Sequence, residues 1–152
     1  MDKLTSSTYS VYRCQKMCPP FRWAPRTEDG PLALITLTAA LDAARAGGYG
    51  VGAFNVTDLA QAEAVLDAAA ETDSPVIVQT IAGASTHGRD ELFWEALVNL
   101  IAHYPDVPVV LHLDHGASYA DCVRAIGAGF TSVMIDGSMR EDHVTPATFE
   151  EN

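Results

Sequence analysis

The sequence predicts an α/β fold built on a parallel sheet. Short apolar runs alternate with segments of helical period, capping and breaking residues stand at the joints, and the runs are too apolar to leave one face in water. The regular pattern starts near Pro31. In "TLTAALDAARAGGYG", Thr36 or Thr38 can cap a helix that Gly47 and Gly48 stop. "YGVGAFNV" (Tyr49 to Val56) reads as a strand, and "TDLAQAEAVLDAAAETD" as a helix opened by Thr57 or Asp58. The unit then repeats. "SPVIVQTI" (Ser74 to Ile81) is a β-branched strand, and "GRDELFWEALVNLIAHY" a helix with Leu92, Trp94, Leu97 and Ile101 among its apolar positions. "VPVVLHLD" (Val107 to Asp114), the helix "SYADCVRAIGAG" and the strand "TSVMIDG" (Thr131 to Gly137) complete four strand-helix steps. An open doubly wound sheet and a closed eight-stranded barrel both begin this way, and periodicity leaves both open. A barrel of that kind takes about 250 residues, so four strands make half of one. The closing "DHVTPATFEEN" reads as a loop entering a further helix, which predicts a truncated chain.

Residues 1–30 have no helical or strand period and carry a Pro-Pro pair; they are expected to form a disordered, functionally idle extension ahead of a single domain over 31–152. Their basic, Ser/Thr-containing character suits a transit peptide, but Asp2 and the missing amphipathic pattern argue against one, and a misassigned upstream start explains them equally well. The formal charge of −11 is uneven: residues 1–30 hold five basic and three acidic side chains, which leaves −13 on the body. Such a body repels phosphate backbones and anionic lipid heads, so no nucleic-acid or membrane partner is expected, and a phosphorylated substrate needs locally placed donors. No uninterrupted apolar run of about 18 residues occurs and residues 1–30 lack the basic-then-apolar layout of a secretory signal, so neither a membrane-spanning nor a secreted protein is expected. Cys14 and Cys18 are not spaced as C-x-x-C and Cys122 stands alone, so a reducing cytoplasm is the expected setting.

The chemistry concentrates in "VPVVLHLDHGAS". Alternation on a strand sends His112 and Asp114 to one face and Leu111 and Leu113 to the other, with His115 just past the strand end. In parallel α/β folds the carboxyl ends of strands are where ligands gather. An imidazole beside a carboxylate there suits a metal ligand plus an acid/base partner. One histidine cannot hold a zinc, which in catalytic sites keeps about three protein ligands. His87, which follows the second strand, and His143, in the fourth-strand loop, are further candidates, whereas His103 reads as surface. The bland alternative is a buried polar pair in which His112 satisfies a neighbouring carboxylate. Asp136 at the corresponding end of the next strand weighs against it, since clustered ionisable groups are costly without a purpose. A His-x-His metal site of amidohydrolase type is the rival; it is expected on a first strand, without an intervening aspartate.

Four blocks, "GYGVGAFNV", "SPVIVQT", "VPVVLHLDHG" and "AIGAGFTSVMIDGS", taken in order, resemble the class II, zinc-dependent fructose-bisphosphate aldolase family over about Ala33 to Ser138. The resemblance implies a TIM (β/α)8 barrel with its first four strand-helix units present. It implies reversible aldol cleavage of a ketose 1,6-bisphosphate, fructose 1,6-bisphosphate first of all, to dihydroxyacetone phosphate and glyceraldehyde 3-phosphate, and a homo-oligomer in the full-length form. By the same resemblance Asp114 is the catalytic acid/base on the C4 hydroxyl and aldehyde oxygen, His115 a ligand of Zn2+, and Asn55 a substrate contact. Asp136 and His112 are supporting residues. Zinc in that family is the Lewis acid that polarises the dihydroxyacetone phosphate carbonyl and stabilises its enediolate.

This chain departs from the pattern in two ways. "QTIAGA" places Ile81 where many relatives have a serine, so a substrate or phosphate contact is expected to be missing there. The family's other two zinc histidines, a zinc-proximal glutamate and a glycine-rich phosphate loop belong to later strands, so the chain alone is expected to be inactive. Tagatose-bisphosphate aldolase and a non-catalytic half-barrel module are the alternatives.

Overall fold

The computed structural model describes residues 33–83, 89–140 and 145–151. The expected disordered extension over residues 1–30 lies outside them. Among the described residues four helices and four strands alternate: α1 (Leu37–Gly47), β1 (Gly52–Asn55), α2 (Leu59–Glu71), β2 (Val76–Thr80), α3 (Asp90–Ile101), β3 (Val109–Gly116), α4 (Tyr119–Gly127) and β4 (Ser132–Ile135). Each expected element forms, and capping chemistry sets the ends. Thr36 accepts the Ala39 N–H at 3.2 Å, and Gly48, at φ 68°, closes α1 in the left-handed conformation that glycine tolerates. Asp58, not Thr57, caps α2 by accepting from Gln61 N, while the Gln61 side chain reaches back to the Thr57 N–H at 2.9 Å. Ser118 caps α4 in the same manner.

All four strands run parallel in the order β1-β2-β3-β4. Sequential order decides between the two architectures. Crossovers between parallel strands are right-handed, so successive connections that advance in one direction leave their helices on one face, whereas a doubly wound sheet reverses and covers both. Here α2, α3 and α4 share one core with alternate sheet residues: Leu66, Trp94, Leu97, Ile101, Cys122 and Ala125 pack with Val76, Val78, Val109, Leu111 and Leu113. The opposite face carries a small cluster of Ala40, Ile77 and Val110, joined by Ile35, Leu37 and Val51, in which α1 covers only the amino ends of the strands. The result is the sheet of part of a (β/α) barrel, with the site-facing side bare of helix above that cluster.

Three local details depart from the expected pattern. On α3 the buried stripe is Phe93, Trp94, Leu97 and Ile101, and Leu92 is exposed, because the helix turns its 93/97/101 edge to the sheet. β1 starts at Gly52 rather than Tyr49, since the Tyr49 N–H is spent on the Ala44 carbonyl at the end of α1. β3 begins at Val109 and continues to Gly116, so His115 lies inside the strand and not beyond it. Trp94 centres the helix layer: its ring meets Phe130 edge-on at 5.1 Å and the Arg124 guanidinium stands over it at 5.5 Å. Arg124 also pairs with Asp121 and Glu91, tying α4 to α3.

The Tyr104 hydroxyl donates to Asp67 Oδ1 at 2.7 Å, and that bond, with some burial and the charge of Asp67, pushes the phenol up to about 12. The native state therefore holds this proton more tightly than the unfolded chain, whose tyrosines ionise near 10. The stabilisation is complete below about pH 10 and is lost as pH rises toward 12. Ultraviolet titration of phenolate is expected to show one late-ionising tyrosine that disappears in Tyr104→Phe; an unchanged titration curve would refute the assignment.

Candidate active site

The polar residues of the apolar strands converge at their carboxyl ends. Register aligns Asn55 with Gln79, Gln79 with His112, and His112 with Ser132, so one row across all four strands is polar on the face without helices. Asp114 stands two residues further along β3 on that face. Its Oδ2 accepts from Asn55 Nδ2 at 3.0 Å and from Gln79 Nε2 at 2.8 Å, and the same Gln79 nitrogen reaches Asn55 Oδ1 at 2.5 Å. Two amides from two other strands thus fix one carboxylate oxygen and leave Oδ1 open.

That oxygen faces His115 Nε2 at 3.7 Å. On the other side of the ring, His115 Nδ1 meets Asp136 Oδ2 at 2.7 Å. Asp136 is held down at about 2 by hydrogen bonds from Ser138, whose backbone N–H lies 2.8 Å from Oδ1, and from His115. A carboxylate with no proton can only accept, so Nδ1 carries the hydrogen and a neutral His115 turns the lone pair of Nε2 toward Asp114. The Asp136 bond and the charge of Asp114 raise the His115 pKa. Two acceptors facing one another call for a proton or a cation between them, and the donor set of one imidazole and one carboxylate suits zinc. Even counted together, one imidazole and one carboxylate fall short of the roughly three protein ligands such a metal takes. Among the described residues no three metal-ligating side chains converge.

His112 takes a different part. Its Nδ1 bonds Ser132 Oγ at 2.8 Å, and burial lowers its pKa against the opposing pull of Asp114. It stays a neutral, hydrogen-bonded strut in the polar row. His103 is exposed just past α3 and away from the cluster, as its sequence position suggested. His87 and His143 lie outside the described residues. Ile81 follows β2 with its apolar side chain 38% exposed.

The structure thus brings together Asn55, His112, Asp114, His115 and Asp136. The sequence alone does not single out Gln79, because it sits in an otherwise apolar run. Its signal was present: it is the lone amide in "VIVQT", near the carboxyl end of its strand as Asn55 is in "GAFN".

Comparison with known proteins gives a consistent result. The family model "Fructose-bisphosphate aldolase class-II" matches residues 35–152. The chain is 49% identical over 121 residues to the plasmid fructose-bisphosphate aldolase of Cupriavidus necator and 48% identical to the fructose-bisphosphate aldolase of Pseudomonas aeruginosa. These matches cover 80% of this chain but 35% and 34% of those proteins, so the chain spans about a third of the length of the curated relatives it matches. Among solved structures, the YdjI aldolase from Escherichia coli K12 superposes with a TM-score of 0.63 at 32% identity, over 69% of this chain and 41% of that one. The fructose-bisphosphate aldolase from Campylobacter jejuni superposes at 0.54 and 28% identity, over 69% of this chain and 39% of that one. No helix among the described residues is long and apolar enough to cross a membrane.

Proposed function

Because this chain belongs to the class II fructose-bisphosphate aldolase family, matched over residues 35–152, we propose that it carries the acid/base half of a zinc-dependent aldolase site. The reaction is the reversible cleavage of fructose 1,6-bisphosphate to dihydroxyacetone phosphate and glyceraldehyde 3-phosphate. The observation that carries this reading is the pairing of Asp114 Oδ1 with His115 Nε2 at 3.7 Å, both held from behind. Asp114 Oδ1 takes the C4 hydroxyl proton during cleavage and returns it to the aldehyde oxygen during condensation. Gln79 and Asn55 keep that oxygen turned to the substrate, and Asn55 reaches the substrate from the strand mouth. His115 offers Nε2 to the metal while Asp136 fixes its ring and His112 holds β3 against β4. Zinc, when bound, supplies Lewis-acid polarisation of the ketose carbonyl.

One ligand from the described residues does not make a catalytic site of about three, so turnover requires donors beyond them, and the 152-residue chain alone is expected to be inactive. The test is a chimera in which residues 35–152 replace the matching segment of the Cupriavidus necator relative, assayed for bound zinc and for cleavage of fructose and tagatose bisphosphates. We expect one zinc per active site, cleavage abolished by chelation, and preference for the fructose substrate, as the names of the relatives support. His115→Ala is expected to lose zinc together with activity. A His115→Ala chimera that keeps its full zinc content would remove His115 from the ligand set, and preference for tagatose bisphosphate would replace the substrate.

A further inference from the structure

We infer that Gly116 is a positioning residue for the active site: the missing side chain at this position lets a β-bulge turn Asp114 and His115, neighbours in sequence, to the same side of the sheet. Regular alternation would send one of two adjacent strand residues into the helix layer. Pairing shows how this is avoided. Leu113 aligns with Val133 and Gly116 with Ile135, so three steps along β3 match two along β4, and Asp114 and His115 together oppose Met134. The extra residue is His115, in the left-handed region at φ 48°.

The bulge shifts the phase of everything after it. A Cβ on Gly116 would point into the helix layer and not toward the site: it would stand 2.8 Å from the Met134 carbonyl oxygen, 2.9 Å from Cys122 Sγ and 3.1 Å from Leu113 Cδ2. The first of these is backbone of the partner strand and cannot swing aside. The Gly116 carbonyl in turn accepts the Asp136 N–H at 2.9 Å, which sets the carboxylate that grips His115 Nδ1. Any side chain at 116 therefore pushes β3 from β4 at the one point where both the His115 backbone and its Asp136 anchor are fixed. His115 would lose the orientation that presents Nε2 beside Asp114.

This inference rests on the reading of His115 as a ligand for its functional meaning, but its geometry can be tested without metal. In the 152-residue chain, long-range nitrogen NMR of the neutral ring is expected to find the proton of His115 on Nδ1, the tautomer opposite to the one a free histidine favours. Gly116→Ala is expected to return Nε2–H to the majority and to open the Asp136 amide to exchange, while the control Gly127→Ala, where a Cβ meets nothing within 4 Å, changes neither. Retention of the Nδ1–H tautomer in Gly116→Ala would overturn the inference. Should that variant not fold, Gly116→Ala combined with Cys122→Ala removes the sulfur contact, leaves the Met134 carbonyl in the way and is read identically. The unmodified chain gives a third reading, since a wild-type ring protonated on Nε2 also overturns the inference. In the chimera, Gly116→Ala is expected to weaken zinc binding by about 10- to 100-fold, the range for loss of an outer-shell orienting contact. If His115→Ala leaves zinc in place while the tautomer result holds, the ligand reading fails and the positioning geometry stands.

Discussion

Asp114→Asn in the chimera is expected to lower kcat for aldol cleavage by about 10²- to 10⁴-fold, the usual range for a positioned acid/base group. Asparagine keeps the shape and leaves an oxygen for the Gln79 and Asn55 amides, which now grip Asp114 Oδ2 at 2.8 and 3.0 Å. What it removes is the ability of the other atom to hold and return a proton. KM is therefore expected to change little, which separates proton transfer from substrate binding. Gln79→Ala makes the complementary case. It deletes one of two donors and frees the carboxylate to turn, so its loss should be smaller and accompanied by a fall in stereochemical control at the new bond. A loss under about tenfold for Asp114→Asn would take the acid/base role away from this residue.

Trp94→Ala is expected to cost about 3–5 kcal/mol, the range for emptying a buried aromatic site. Domains of this size carry only about 5–15 kcal/mol in total, so a large share of the folded population is at stake. Trp94 is fully buried, fills the layer between α3, α4 and the sheet, and gives Phe130 its edge-on partner. The Arg124 guanidinium above the ring loses its apolar seat in the same variant. Trp94→Phe should cost much less, because the indole Nε1 is buried with no hydrogen-bond partner among the described residues and its removal forfeits no bond. Urea unfolding followed by circular dichroism measures both. Equal midpoints for the two variants would mean that ring volume is not what Trp94 contributes.

The Asp114–His115 pair is legible in the sequence because its residues break a pattern. Histidine and aspartate at the end of an apolar strand, with Asp136 at the end of the next, have no packing reason to be there. Gln79 broke its run in the same way, yet one amide in an apolar strand carries little weight until the register sets it beside Asn55 and Asp114. Leu92 is the reverse case, an apolar helix position whose burial the sequence leaves open. It is as apolar as Phe93, and only the docking angle of α3 chose which of the two would be buried.

What depends on near neighbours is already written in the sequence: the alternation of strands and helices, a cap at Thr36 or Thr38 and another at Thr57 or Asp58, the stop at Gly47 and Gly48, and the polar residues at the strand ends, while the structure settles the caps on Thr36 and Asp58 and adds Ser118. The caps and stops are contacts within about four residues, and the alternation is a local period, so both are written locally. Tertiary structure decided what depends on partners far along the chain. Sequential strand order, which sets the barrel-type sheet apart from a doubly wound one, appears only when all four strands are aligned. The same holds for the side to which His115 turns. Period-two alternation sends it away from Asp114; the extra residue in β3, admitted by the close approach of Gly116 to Met134 on β4, brings it back.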